Sequence, residues 1–131
     1  MEPLDKLVVS GAELDRELLS TLLLPFVRLD KDDSSVRPTS RWSSLNQQQQ
    51  ILIYLMARKA MAAHPDFSLD EEAAAPILVG EMTGAGKSAR GQLGNLHKKK
   101  LVDRTRTSKY YVPNYALESV KEIIKSRLEE T

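Results

Sequence analysis

The chain has 131 residues, of which 41% are hydrophobic and 28% charged, so it is long enough for one domain with its own core and too apolar for a chain disordered throughout. It contains no cysteine and two histidines, which excludes disulfides and thiolate metal sites and leaves no convincing metal cluster; neither a metal nor another cofactor is predicted. The net charge is only +1, but this sum conceals a strong asymmetry along the chain.

The first predicted element is a helix over residues 10–24. Ser10 and Glu13 match the capping-box pattern, leucines follow at helical spacing, and Pro25 is expected to end the helix. The apolar stretch 18–26 is far shorter than the roughly 20 residues of a membrane span, and it lacks the flanks of a secretory signal. We therefore expect no membrane partner and a cytoplasmic location.

Residues 30–43 are rich in Asp, Ser, Arg and Pro and are interpreted as an exposed linker or arm. With the first helix they define an N-terminal unit, residues 1–43. A long helix is predicted next, with Ser44 as its cap, Gln47 in the capping-box position and Pro65 beyond its end. Its apolar residues cover more than one face, so it should be largely buried.

A short helix is predicted over residues 77–82, with Pro76 in its first turn, where the missing N–H costs nothing. Residues 83–86 should form a turn, and a further helix should begin near Lys87. This succession is the outline of a helix-turn-helix.

The end of this segment, Gly86-Lys87-Ser88, resembles the end of a phosphate-binding P-loop. The spacing differs, because five residues rather than four separate Gly80 from Gly86 and an acidic residue, Glu81, occupies the position that requires glycine. Nucleotide binding by residues 80–88 is therefore the less favoured alternative. No other catalytic constellation stands out, and no enzymatic activity is predicted.

Positive charge is concentrated in residues 84–110, which carry eight Lys or Arg against Asp103 alone, a local net charge of +7. Residues 1–83 carry −5 and residues 111–131 carry −1. A basic density of this kind is typical of a surface that binds a polyanion, although a solvated basic helix would have the same composition.

From Ala89 onward the pattern becomes specific. Ala89, Leu93 and Leu96 fall on one helical face, and Leu101-Val102 and then Tyr110-Tyr111-Val112 follow. Residues 45–112 thereby resemble the winged helix-turn-helix superfamily, in which a recognition helix with this leucine spacing runs into a basic turn, a Leu-Val strand and a two-stranded wing. Lys100 stands where that family often has Gly.

The resemblance implies a mainly α (α+β) fold: a winged helix-turn-helix domain at residues 44–113, with a short two-stranded wing at 103–112 and additional N- and C-terminal helices. In the wing, either Tyr111 or Val112 should point into the core, because neighbours along a strand face opposite sides.

The recognition helix can also be interpreted without the family. At 100° per residue, the face opposite Ala89, Leu93 and Leu96 carries two glycines, Gly91 and Gly94, each of which costs a helix up to about 1 kcal/mol. A smooth face that lets the backbone approach a nucleic-acid groove would explain them; a helix that is merely poor and short is the alternative. The candidate DNA-binding residues of this helix and the wing are Lys87, Ser88, Arg90, Gly91, Asn95, Lys98, Lys99, Arg104, Arg106 and Lys109.

The C-terminal segment, residues 114–131, is predicted to be a helix capped near Asn114. It carries an apolar stripe, and dimerisation through this stripe is favoured over packing against the first helix within one chain. The stripe consists of Leu117, Val120, Ile124 and Leu128.

The sequence therefore predicts a cytoplasmic homodimer that binds double-stranded DNA, as a transcriptional regulator or as a replication or partition accessory factor. The alternative is a winged helix that serves as a protein–protein adaptor without binding DNA, since a fold does not fix a function.

Overall fold

The computed structural model describes residues 3–7 and 14–128. These residues are mainly helical, as predicted, and none of their helices is long and apolar enough to cross a membrane. The α-helices of the described part are α1 (Arg16–Leu23), α2 (Gln47–Ala63), α3 (Pro76–Thr83), α4 (Ala89–Lys98) and α5 (Leu117–Leu128). Its strands form two antiparallel pairs, β1 (Val27–Asp30) with β2 (Ser35–Pro38), and β3 (Asp103–Arg104) with β4 (Tyr110–Tyr111).

Helix α1 is capped by Asp15, whose carboxylate accepts a hydrogen bond from the backbone N–H of Leu18 at 3.0 Å. The capping box expected at residues 10–13 lies outside the described residues. The helix ends at Leu23, just before Pro25, as predicted.

The interpretation of residues 30–43 as a linker or arm is wrong. Together with Val27–Leu29, residues 30–38 form the β1–β2 hairpin, in which Leu29 lies opposite Val36 and packs with it against the core. At the turn, the backbone N–H of Asp32 and the guanidinium of Arg37 hold the pKa of Asp30 below its usual value. The polar turn dominated the composition of this stretch and concealed two strands of four residues each.

The capping box of α2 consists of Asn46 and Gln49, so the prediction of Ser44 and Gln47 is wrong by two positions. Asn46 Oδ1 accepts from the Gln49 N–H at 2.9 Å, and Gln49 Oε1 accepts from the Asn46 N–H at 2.8 Å. Ser44 instead ends a 3₁₀ turn and donates its hydroxyl to the Arg41 carbonyl. Helix α2 then runs through the centre of the core, where residues 51–57 are all buried.

Pro76 begins α3, as predicted, and the chain turns at Gly84, which has φ 78°. Gly80 faces the next turn so closely that an added Cβ would lie 2.3 Å from the carbonyl oxygen of Gly86. The glycines of the P-loop-like string therefore permit a tight crossing of α3 and the start of α4. Residues 80–83 are helical and do not form a phosphate-cradling loop.

After α4 the chain turns at Lys100, which adopts φ 63°, a left-handed conformation that favours glycine. Tyr110 pairs on one side with Arg104 of β3 and on the other with Ala74, with N···O distances of 2.8 and 2.9 Å to Ala74. Strand β4 thus lies between β3 and the segment that precedes α3. Val112 is fully buried and Tyr111 is half-buried, which decides between the two core candidates.

The apolar stripe of α5 packs within the chain, against α1 and α2. Val120 and Ile124 have no exposed surface, so the stripe expected to form a dimer surface is already covered. The alternative, packing against the first helix, is the arrangement observed. Homodimerisation through α5 stays a prediction that would have to use another part of the helix surface, such as the flank where Ile123 is 39% exposed.

Candidate nucleic-acid interface

Three buried side chains fix the rotation of α4 about its axis. Ala89, Leu93 and Leu96 are each at most 1% exposed, whereas the predicted contact residues on the remaining faces are exposed. These exposed residues are Lys87, Ser88, Arg90, Gly91, Asn95, Lys98 and Lys99.

The two glycines of α4 lie on this outward side. A Cβ added at Gly91 or at Gly94 would meet no heavy atom within 4 Å, so neither glycine is required by packing inside the chain. Gly80 differs from both, because its Cβ position is occupied by backbone. The helix therefore carries the cost of two exposed glycines without any gain in its own packing.

Ser88 is engaged inside the protein. Its hydroxyl donates to the carbonyl oxygen of Ala85 at 2.8 Å and accepts from Gln92 Nε2 at 3.2 Å. Gln92 also donates to Gln47 Oε1 at 2.6 Å and thereby ties α4 to the first turn of α2. Ser88 and Gln92 orient the start of α4, a role that the sequence does not reveal because Gln47 is 45 residues away from Gln92.

Seven basic side chains around α4 and the wing are exposed and have no ion-pair partner among residues 3–7 and 14–128. Ion pairs within the described chain therefore leave these cations available to a polyanion, although Glu81 lines the same surface groove as Lys87 and Arg90 and lowers the positive potential there. The set adds Lys100 to the residues singled out from the sequence. It consists of Lys87, Arg90, Lys98, Lys99, Lys100, Arg104 and Arg106.

Strands β3 and β4 and the turn between them place Arg104 and Arg106 in solvent beside α4. The turn is closed by the backbone N–H of Thr105, which donates to the Lys109 carbonyl at 2.8 Å, and Ser108 adopts φ 61°. Lys109 differs from the two arginines, because its ammonium group forms an ion pair with Glu71. Five predicted residues on or next to α4 and two on the β3–β4 hairpin thus carry exposed polar or charged groups with no ion-pair partner in the described chain, whereas Ser88 and Lys109 are engaged by neighbouring residues.

The segment that carries Glu71 is fixed to the core from both sides. Arg58 donates to the carbonyl oxygens of residues 71–73, and the buried ammonium of Lys59 lies 3.0 Å from a carboxylate oxygen of Glu72 and 2.6 Å from Asn114 Oδ1. Glu71 is therefore held beside the wing.

At the far end of α4, His97 Nε2 lies 3.6 Å from Asp103 Oδ1 at the start of β3. Burial raises the pKa of the neighbouring Tyr111 hydroxyl, and the Asp103 carboxylate adds to the effect. Tyr111 therefore keeps its proton at neutral pH and contributes no charge to this surface.

No group of three or more His, Cys, Asp or Glu side chains in the described part of the chain is arranged to hold a metal ion. Comparison with family models, curated proteins and solved structures gives no significant match to this chain.

Proposed function

We propose that the chain binds double-stranded DNA as a winged helix-turn-helix, with α4 as the recognition helix in the major groove and β3–β4 as the wing on the sugar-phosphate backbone. The observation that carries this proposal is the exposed surface of seven unpaired cations around a helix whose outward side carries two glycines. Cations neutralise phosphates, and glycines let the helix backbone approach the groove.

The order of the elements supports the same proposal. Helix α2 is followed by the bridge at Ala74, then by α3, α4, β3 and β4, and β4 lies between Ala74 and β3. This succession resembles that of the winged helix-turn-helix, and Lys100 has a positive φ at the turn where that family often has Gly.

The direct test is a titration of duplex DNA across a range of salt concentrations. We expect about four to six phosphate contacts, so the slope of log K against log salt should be roughly −4 to −5 per protomer. Undetectable binding at low salt, both to random and to genomic duplexes, would contradict the proposal.

The two parts of the surface should contribute differently to sequence preference. Lys87→Ala and Asn95→Ala should reduce the preference for a selected duplex over a random one, because Lys87 is exposed just before α4 and Asn95 is exposed on α4 itself. Arg104→Ala and Arg106→Ala should weaken the binding of both duplexes nearly equally, because phosphate contacts carry no sequence information. Lys125→Ala, an exposed cation on α5, is the matched control. Equal losses on both duplexes for Lys87→Ala and Asn95→Ala would exclude base recognition by these residues.

Glu71 should restrain DNA binding, because it competes with phosphate for Lys109. We expect Glu71→Gln to raise the affinity for random duplex about two- to fivefold and to steepen the salt slope by about 0.9, the value of one additional phosphate contact. Asp70→Asn is the control, because it removes the same charge from the neighbouring exposed position, where no ion pair is formed within the described chain. If both variants raise the affinity equally, the effect is one of net charge and Lys109 is not involved.

A protein–protein adaptor is the second candidate, and one observation favours it. Ile77 on α3 is 74% exposed and borders a surface groove with Pro76, Gly86 and Arg90. A groove bordered by an exposed apolar side chain offers a place for an apolar group of a partner protein.

A further inference from the structure

An apolar groove opens on the surface between α1, the C-terminal end of α2 and β1. Its volume is about 340 Å³, which falls within the range of small-molecule sites, about 300–1,000 Å³. Leu24 at its edge is 58% exposed and extends the apolar surface of the groove. Its apolar lining includes Leu19, Leu23, Val27, Leu29, Ala60 and Ala63.

Two guanidinium groups are held at the rim of this groove. Arg16 Nη2 donates to the carbonyl oxygen of Ala63 at 3.1 Å, and Arg28 Nη1 donates to the carbonyl oxygens of Leu24 and Val27. A guanidinium has five N–H donors, so each arginine retains donors for a ligand. These bonds to the backbone also hold the two charges in place before a ligand arrives.

The charge of this rim is not balanced. Neither Arg16 nor Arg28 forms an ion pair with any residue that the structure describes, and no Asp or Glu is among the residues that line the groove. His64 at the same rim accepts a hydrogen bond from the Asp66 N–H through Nδ1 at 3.1 Å, which leaves its Nε2 for other partners. An apolar trough with unpaired cations at its edge is complementary to a molecule with an apolar tail and an anionic head.

We propose that this groove is a binding site for an amphipathic monocarboxylate, whose apolar tail lies along α1 and the end of α2 and whose carboxylate meets the guanidinium of Arg28. Carboxylate and guanidinium match in geometry, since two parallel N–H donors can meet two oxygens. The tail replaces water over the exposed parts of Leu24 and the leucines beneath it.

The site is separate from the proposed DNA surface. Gln47, which contacts the start of α4, and Ala63, which lines the groove, lie at opposite ends of α2, about 24 Å apart along a helix that rises 1.5 Å per residue. Ligand binding therefore needs no DNA and can be tested whether or not DNA binds.

The experiment uses the full chain and three probes that share one tail, decanoate, decanol and decyltrimethylammonium, titrated calorimetrically below their micelle concentrations. We expect saturable binding of one decanoate per chain, weaker binding of decanol, and the weakest binding for the cation. Absence of saturable decanoate binding, or equal affinities for decanoate and the cationic probe, would overturn the proposal.

Substitutions at the rim then test where the carboxylate of the ligand binds. Arg28→Gln should weaken the binding of decanoate about three- to fivefold and leave the binding of decanol unchanged, because it removes a charge at the rim and leaves the apolar lining intact. Arg106→Gln is the matched control, since Arg106 is an exposed arginine with no ion-pair partner in the described chain and does not line the groove. Equal effects of the two variants would show general charge attraction and overturn the site.

A variant that fills the groove tests where the apolar tail of the ligand binds. Ala63→Trp should abolish binding of both decanoate and decanol, and unchanged binding in the folded variant would contradict the proposal. If Ala63→Trp does not fold, methyl chemical shifts of the unmodified protein decide: shifts confined to Leu19, Leu23 and Ala60 support the site, and shifts elsewhere overturn it.

Discussion

Ile124→Asp should lower the free energy of unfolding by at least about 4 kcal/mol, which is most of the stability of an ordinary domain. Ile124 has no exposed surface and lies in the core, where α5 packs on α1 and α2. A carboxylate at this position would be buried without a partner. Urea denaturation followed by circular dichroism measures the loss, and a substantial unfolded fraction without urea is the expected extreme.

Ile123→Asp is the matched control one residue earlier. Ile123 is 39% exposed, and its backbone carbonyl, which accepts from Gln49 Nε2 at 3.1 Å, is retained in the variant. We expect a change of less than about 1 kcal/mol. If Ile124→Asp instead gave a stable, folded monomer from a dimeric parent, the buried stripe of α5 would be an interface between two chains.

The stripe on α5 shows what a periodic pattern can predict. The spacing of Val120 and Ile124 establishes that one face of a helix is covered, because apolar side chains at helical spacing avoid water together. It carries no information about which surface covers that face. The spacing fits packing against a second chain as well as packing against α1, and only the three-dimensional arrangement distinguishes the two.

Local sequence signals were sufficient to predict the structure where a residue type strongly favours one position in a helix. Pro76 marks the first turn of α3, and the leucine spacing of α4 fixes its inward face and hence which cations are exposed. They were insufficient where neighbouring residues compete for one role. Ser44 and Asn46 are both good caps with a glutamine three residues later, and the choice depends on where the preceding 3₁₀ turn ends.

Other features could not be predicted because they depend on contacts between distant parts of the chain or on very short strands. The ion pair of Lys109 with Glu71 joins residues 38 positions apart and changes the role of a residue predicted to be free for DNA. The hairpin β1–β2 was missed because only Leu29 and Val36 carry its apolar face between polar turn residues. Strands this short leave too little alternation to detect.

The tight crossing of α3 with the start of α4 predicts that Gly80→Ala destabilises the protein by about 2 kcal/mol or more. Helix propensity alone favours Ala over Gly by up to about 1 kcal/mol, but the added Cβ would lie 2.3 Å from a backbone oxygen of Gly86. The clash outweighs propensity because backbone cannot move aside as the end of a side chain can. Urea denaturation is again the measurement, and a stabilised Gly80→Ala would mean that the two helices can separate at no cost.

Gly91→Ala and Gly94→Ala should have the opposite effect on stability, and they should also lower the affinity for duplex DNA. Each added methyl meets open space, so each variant should gain about 0.5–1 kcal/mol in the free energy of unfolding. If α4 enters the DNA groove, the same methyl holds the helix backbone away from the bases, and we expect the affinity for duplex to fall about tenfold, or about 1.4 kcal/mol. Stability and binding thus move in opposite directions, which damage to the fold cannot produce. Variants that are more stable and bind DNA as well as the parent would show that the outward glycines serve no approach to DNA, and that α4 is merely a weak helix.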